Sequence, residues 1–290
     1  MLRGFVARLV VTAVAAGLSS AAYLNAAEGT GKLKRIVSIN LCVDEMVLRL
    51  AERRNIASVT WLARNPDSST VVDEAQGIPI NHGVAEEVLP FNPDIVIAGI
   101  YTTRPTVDLL RRVGVPTIDM DVARSFDTVR RQYRELGALI GEPEKGGRLI
   151  AEMDEQLDRF AKTQPSARPR AMVLHGNGYT NGRGSLADEV MTRAGLTNVA
   201  VDLGIGEYGQ IPLETIVTNE VDVLILSSSR DWPPAIATEI LRHPALSKLP
   251  NRPRVVVMPN RLWNCGGPPL AEAIERLLPV ARDLAGKSAR

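Results

Sequence analysis

Short, mostly apolar runs alternate with segments of helical spacing along most of the chain. The runs at 35–39 (Arg-Ile-Val-Ser-Ile), 56–60, 94–99 and 116–120 have the predominantly apolar character of strands buried on both faces. Between them, residues 44–53 carry Met46, Val47, Leu48, Leu50 and Ala51 at helical spacing, and the same pattern recurs over 106–113. A short helix is expected over 86–89, ended by Pro90 and Pro93, and residues 40–43 read as the loop after the first strand. The polar stretch 64–76 reads as an exposed excursion. From 125 to 161 the pattern is helical throughout, with one break at Gly141-Glu142-Pro143 and a capping serine at Ser125. Strands then return at 170–174, 221–226 and 254–258, separated by helical patterns over 185–194, 213–217, 235–241 and 270–284. Such alternation predicts an α/β fold with parallel sheets covered by helices.

A chain of 290 residues exceeds what one core organises, so two lobes with a cleft between them are expected. One block supports this directly. Glu86 and Glu214 each stand eight residues before an aspartate, Asp94 or Asp222, that opens an apolar strand. Two lobes of similar design would each present one carboxylate at an equivalent place. The boundaries predicted are a first lobe over 27–124, a helical linker over 125–163 and a second lobe over 164–290. Residues 1–26 stand apart. A basic start containing Arg3 and Arg8, an apolar run over 9–18 and a small-residue stretch over 19–27 form the pattern of a cleavable export signal, with cleavage expected between Ala21 and Ala27. A periplasmic protein is therefore expected.

Charge and composition narrow the function. A net charge of +1 gives no electrostatic footprint for nucleic acid. Nucleotide-loop, nucleophile-elbow and metal-ligand spacings are missing from the sequence, so an enzyme is not expected and no cofactor is assigned. Only three histidines are present, too few for a bare divalent ion. His243 precedes Pro244 and reads as structural, while His82 and His175 are the candidates for a metal or a heme iron.

Ligands of open parallel sheets sit beyond the carboxyl ends of the strands. The loops there hold Asn40 and Cys42, Trp61 and Arg64, Tyr101 and Arg104, His175, Tyr179 and Arg183, Arg230 and Trp232, and Arg261, Trp263 and Cys265. Aromatic stacking surfaces interleaved with guanidinium groups suit a large, partly anionic metal chelate. Cys42 and Cys265 would both face the cleft in an oxidising compartment, where three states are open to them: a disulfide, ligation of a metal, or free thiols.

The opening Arg35-Ile36-Val37-Ser38-Ile39-Asn40, the block from Glu86 to Ile97, the interlobe helical segment and Tyr208-Gly209-Gln210-Ile211-Pro212-Leu213-Glu214 occur in an order that resembles the helical-linker class of periplasmic substrate-binding proteins. That class carries cobalamin and ferric siderophores to ABC importers. The resemblance implies two Rossmann-like lobes joined by a long interlobe helix, and a monomeric carrier. Its partners would be a siderophore or corrinoid chelate and an inner-membrane permease with its ATPase. It also implies that Glu86 and Glu214 dock on permease arginines and that Tyr208 borders the cleft. Heme or a metal ion as cargo, and a periplasmic enzyme or sensor built on the same cleft, are the alternatives.

Overall fold

The apolar runs become the strands of two parallel sheets. The computed structural model describes residues 33–228 and 253–288; the expected export signal, the helix expected over 235–241 and His243 lie outside the described residues. In the first half, β1 (Ile36–Ser38), β2 (Ile56–Thr60), β3 (Ile80–Asn81), β4 (Ile95–Gly99) and β5 (Thr117–Met120) pair in the order β3-β2-β1-β4-β5. The second half contributes β6 (Arg170–Leu174), β7 (Tyr179–Thr180), β8 (Thr197–Asn198), β9 (Gly209–Gln210), β10 (Val223–Ser228) and β11 (Arg254–Pro259). Its sheet runs β11-β10-β6-β8, with β7 and β9 forming a separate antiparallel pair.

The order β8-β6-β10-β11 reproduces β2-β1-β4-β5, so the two halves share one plan. A polar exchange marks the equivalence. Asp94 Oδ2 accepts from the backbone N–H of Arg35 at 3.1 Å, and Asp222 Oδ2 accepts from that of Arg170 at 2.8 Å. In return the Asp94 and Asp222 N–H groups donate to the carbonyls of Arg35 and Arg170. The two aspartates recognised by their spacing therefore pin the first strand of each half to its neighbour. The Arg35 guanidinium also binds Asp94 at 2.7 Å and holds its carboxyl below the usual range.

Helices cover the sheets: α1 (Leu41–Leu50), α2 (Ala85–Val88), α3 (Arg104–Arg112), α4 (Phe126–Leu139), α5 (Pro143–Ala161), α6 (Leu186–Arg193), α7 (Val199–Asp202), α8 (Leu213–Thr218) and α9 (Pro269–Ser288). The linker is a pair of helices, broken at the expected Gly141, and α4 and α5 pack on each other. Gly146 permits the contact, since a Cβ there would sit 2.8 Å from the Tyr133 carbonyl oxygen. Helix α4 leans on α1 of the first half, whereas α5 leans on α6 and α9 of the second. Phe126, Tyr133, Met153 and Leu157 of this pair join Leu50 and Ile274 in one apolar core that spans both halves.

Two expectations are corrected here. Residues 41–43 are the first turn of α1, not a loop, because the Asn40 side-chain oxygen caps the helix by accepting from the N–H groups of Cys42 at 3.0 Å and Val43 at 3.4 Å. The stretch 64–76 is tucked in rather than exposed. Val71 and Ala75 enter the core, and Glu45 and Arg49 of α1 bind Thr70.

Helix α1 also carries a buried carboxyl. Asp44 accepts from Thr60 N at 3.1 Å and from Thr60 Oγ1 at 2.5 Å. Burial pushes it up to about 8 from 3.8, against the pull of hydrogen bonds from Ser38 and Thr60. The folded value exceeds the unfolded one, so the protonated acid favours folding. Its contribution is complete below pH 3.8 and is lost as pH rises to about 8. Urea denaturation across this window is expected to show wild type losing up to about 5 kcal/mol relative to Asp44→Asn as pH rises. A constant difference between the two proteins would refute the buried-acid assignment.

Candidate ligand-binding site

The carboxyl ends of the strands converge on two adjoining cavities. The larger, of about 1000 Å³, is bounded by Tyr101, Val122 and Ala123 from the first half and by His175, Tyr179, Tyr208 and Trp263 from the second. A recess of about 220 Å³ shares Tyr101, Val122, Ala123 and Asn264 with it and reaches Asn40, Cys42, Met46 and Met120. Most of these residues follow a strand directly: Asn40 follows β1, Tyr101 β4, Val122 β5, His175 β6 and Trp263 β11.

The aromatic wall is ordered. Tyr179, in β7, and Tyr208, just before β9, stack face to face with centroids 4.8 Å apart and planes 2° from parallel. His175 meets Tyr208 at 6.0 Å in a tilted arrangement. Its Nε2 lies 2.5 Å from Asn181 Oδ1, which fixes the proton on Nε2 and leaves Nδ1 with the lone pair. Burial lowers the His175 pKa, only partly offset by the Asn181 bond, so the ring is neutral at neutral pH. Tyr208 is 58% exposed and Tyr101 is 79% exposed, so both rings are open to a ligand, whereas Trp263 is buried and donates to Ser227 Oγ at 3.4 Å.

Of the residues expected at the site, Tyr101, His175, Tyr179, Tyr208 and Trp263 line the large cavity, and Asn40 and Cys42 the recess. Cys42 and Cys265 form a disulfide beside the recess, and 223 residues separate them in sequence. It joins α1 of the first half to the segment leading into α9 of the second. Other expected residues lie off both linings, each for a local reason. Trp61 stacks on His82, with centroids 6.3 Å apart. Arg64 is spent on the carbonyls of Ala75 and Ile78. Arg104 shares Asp119 with Arg111, at 3.2 and 3.0 Å. The Arg183 backbone pairs with Ile205 while its side chain is exposed, and Arg261 is half-buried away from both walls. Arg230 and Trp232 lie outside the described residues.

For Arg64, Arg104, Arg183 and Arg261 the expected interleaving with aromatics is not found: the described linings contain no lysine or arginine. His82 binds Glu87 at 3.2 Å while His175 binds Asn181, so the two candidate metal histidines are engaged in separate places. Among the described residues, His, Cys, Asp and Glu form no cluster of three able to hold a metal ion. What replaces the arginines is amide chemistry, from Asn177, Asn181, Asn260 and Asn264.

A further set escaped the sequence reading. Asp121, Val122, Ala123 and Arg124 follow β5, and applying the strand-exit rule to that strand would have found them. Arg124 binds Asp121 of its own half at 3.1 Å and Glu207 of the other at 2.7 Å. It partly offsets the two carboxylates that border the cavities, and one negative charge is left over at that rim.

Two sheets of one plan, a helical pair between them and a cavity bounded by both halves define a two-lobed solute-binding protein. The sequence matches the family model described as periplasmic binding protein over residues 36–259, and the chain belongs to that family, whose members are extracytoplasmic binding proteins. It is 29% identical over 215 residues to a cobalamin-binding protein of Halobacterium salinarum, covering 72% of this chain and 58% of the relative. A Bacillus subtilis ABC transporter substrate-binding lipoprotein, itself uncharacterized, is 22% identical over 179 residues, covering 58% of this chain and 56% of the relative. The chain therefore spans less than two thirds of the length of these curated relatives. Among solved structures, a periplasmic heme-binding protein from Roseiflexus superimposes with a TM-score of 0.70 at 23% identity, covering 87% of this chain and 99% of that one; at this identity the likeness is one of fold.

The disulfide yields a direct test. Alkylation of the unfolded, unreduced protein is expected to label neither cysteine, with both labelled after reduction, as read by mass spectrometry. Cys265→Ser should lower unfolding stability by about 2–5 kcal/mol, because the bridge closes a very long loop.

Proposed function

We propose that this protein is the solute-binding component of an ABC importer, and that it captures a corrinoid and delivers it to the permease. The observation that carries this reading is the character of the large cavity: stacked tyrosines, a neutral histidine and several side-chain amides, with no cationic side chain among its described residues. A corrinoid presents a broad, largely neutral ring edged with amide groups, which pair with asparagine amides through both donor and acceptor. Ferric siderophores rich in anionic groups would call for arginines, of which Arg64 and Arg104 are engaged away from the cavity. The relative from Halobacterium salinarum supports the same reading through its name. Heme is the second reading, favoured by the lone-pair nitrogen of His175 and the open phenols of Tyr101 and Tyr208 at one cavity.

Delivery rests on Glu86 and Glu214. Each is exposed in the first turn of a short helix, α2 or α8, just ahead of the aspartate that pins its half. Two carboxylates on rigid, equivalent supports orient a carrier without strong affinity. The lobe boundaries at 27–124, 125–163 and 164–290, and export through a signal at 1–26, belong to the same proposal, as does a monomeric carrier.

Calorimetric titration of the protein lacking residues 1–26 is expected to give a Kd below about 1 μM for a corrinoid and weaker binding of ferric siderophores and heme. Preference for heme would move the assignment to the second reading. In a transport assay, Glu86→Lys with Glu214→Lys should abolish uptake while corrinoid affinity stays within about two-fold. Normal uptake by that double variant would remove the docking assignment.

A further inference from the structure

The recess differs in chemistry from the cavity it joins. Val43, Met46 and Met120 are buried in its walls and the disulfide closes one side. Its carboxylate, Asp121, already accepts from Val122 N at 2.6 Å and from Arg124 at 3.1 Å. Two amides have unused capacity. Gln132 donates through Nε2 to the Asp121 carbonyl at 2.6 Å, and no described residue engages its Oε1. Asn40 gives its oxygen to the α1 cap, and no described residue accepts from its Nδ2. That amide lies against Gly99, where a Cβ would come within 2.6 Å of Nδ2, so a side chain at 99 would displace it into the recess. The space thus offers apolar, sulfur-rich walls, with the Gln132 acceptor and the Asn40 donor among the polar groups its described residues leave available.

These features select the occupant. An anion would find no cation among the described lining residues, and a corrin ring is too large for about 220 Å³. A flat, neutral, fused heterocycle fits, because thioethers favour aromatic edges and faces and the two amides match ring nitrogens. We propose that the recess binds the heterocyclic base carried on the nucleotide loop of a complete corrinoid, while the larger cavity takes the ring. This assignment rests on the corrinoid reading above. It makes the recess the element that separates complete corrinoids from their base-free precursors.

The test is isothermal titration with cobalamin and with cobinamide, which has the same ring and no base. Wild type is expected to bind cobalamin at least about ten-fold more tightly. Ile100→Trp fills the recess from a half-buried position that does not line the larger cavity. It should weaken cobalamin about ten-fold and leave cobinamide within about two-fold. Gln132→Leu, which keeps the volume and removes the acceptor, should show the same selectivity at a smaller scale, with melting curves confirming that both variants fold. Equal wild-type affinities, or equal losses for both ligands, would overturn the recess assignment alone. Binding of neither ligand by wild type would overturn the corrinoid reading and this assignment with it.

Discussion

The two halves meet closely at residue 266, which has no side chain. A Cβ at Gly266 would lie 2.6 Å from both Ala123 Cβ and Val129 Cγ2, so the second half can reach α4 only with glycine there. At the next residue, Gly267, a Cβ would come equally close to the Tyr133 hydroxyl. Cys265, immediately before, is bonded to Cys42 at the start of α1. Tight backbone packing and a covalent link therefore act on the same few residues, at the recess rather than across the larger cavity. Such a placement fixes where the halves meet and leaves the larger cavity bounded on its other side by weaker, exposed contacts such as Arg124 with Glu207.

The division of charge follows from the same plan. Arginines at strand starts and strand exits are consumed by structure: Arg35 by Asp94, Arg170 by Asp202 and the Glu220 carbonyl, and Arg64 by two carbonyls. Carboxylates survive uncommitted at the helix starts that hold Glu86 and Glu214. A cavity without described cationic side chains next to charged rims fits the proposed carrier, because cargo and the proposed membrane partner would then be recognised through different interactions. Salt would weaken the second and scarcely alter the first.

Much of this architecture was legible in the sequence. The strands at 36–38, 95–99, 170–174 and 254–259 followed from predominantly apolar runs, and the α4–α5 break from Gly141 and Pro143. The equivalence of the halves was visible in the spacing of Glu86 to Asp94 and Glu214 to Asp222, and the structure adds the hydrogen-bond exchange that such an aspartate makes. Elements of two to four residues, such as β3, β7, β8, β9 and α7, are too short to carry a period. The site was half legible. Strand-exit position found Tyr101, His175, Tyr179 and Trp263, but position along the chain does not say where a long side chain ends. Arg64 and Arg104 each have four-bond reach and a fixed demand for acceptors, and both found carbonyls or carboxylates nearer than the cleft. Asn181 and Glu207 enter the lining from turns with no periodic signature at all.

That distinction between position and reach alters the chemistry assigned to the cargo. Counting arginines near strand exits argues for an anionic ligand; following the Arg64 and Arg104 guanidinium groups to their partners weakens that argument, and the described lining holds amides and phenols. Desolvating a polar group without a partner costs more than the pair gains. A cavity whose described lining holds asparagines and no arginine fits the proposed ligand, whose rim can both donate and accept. An anionic chelate would strand those amide donors and acceptors in part and would meet Glu207 and Asp121 at the rim, with Arg124 already divided between them. Selectivity of this kind comes as much from what the cleft refuses as from what it holds.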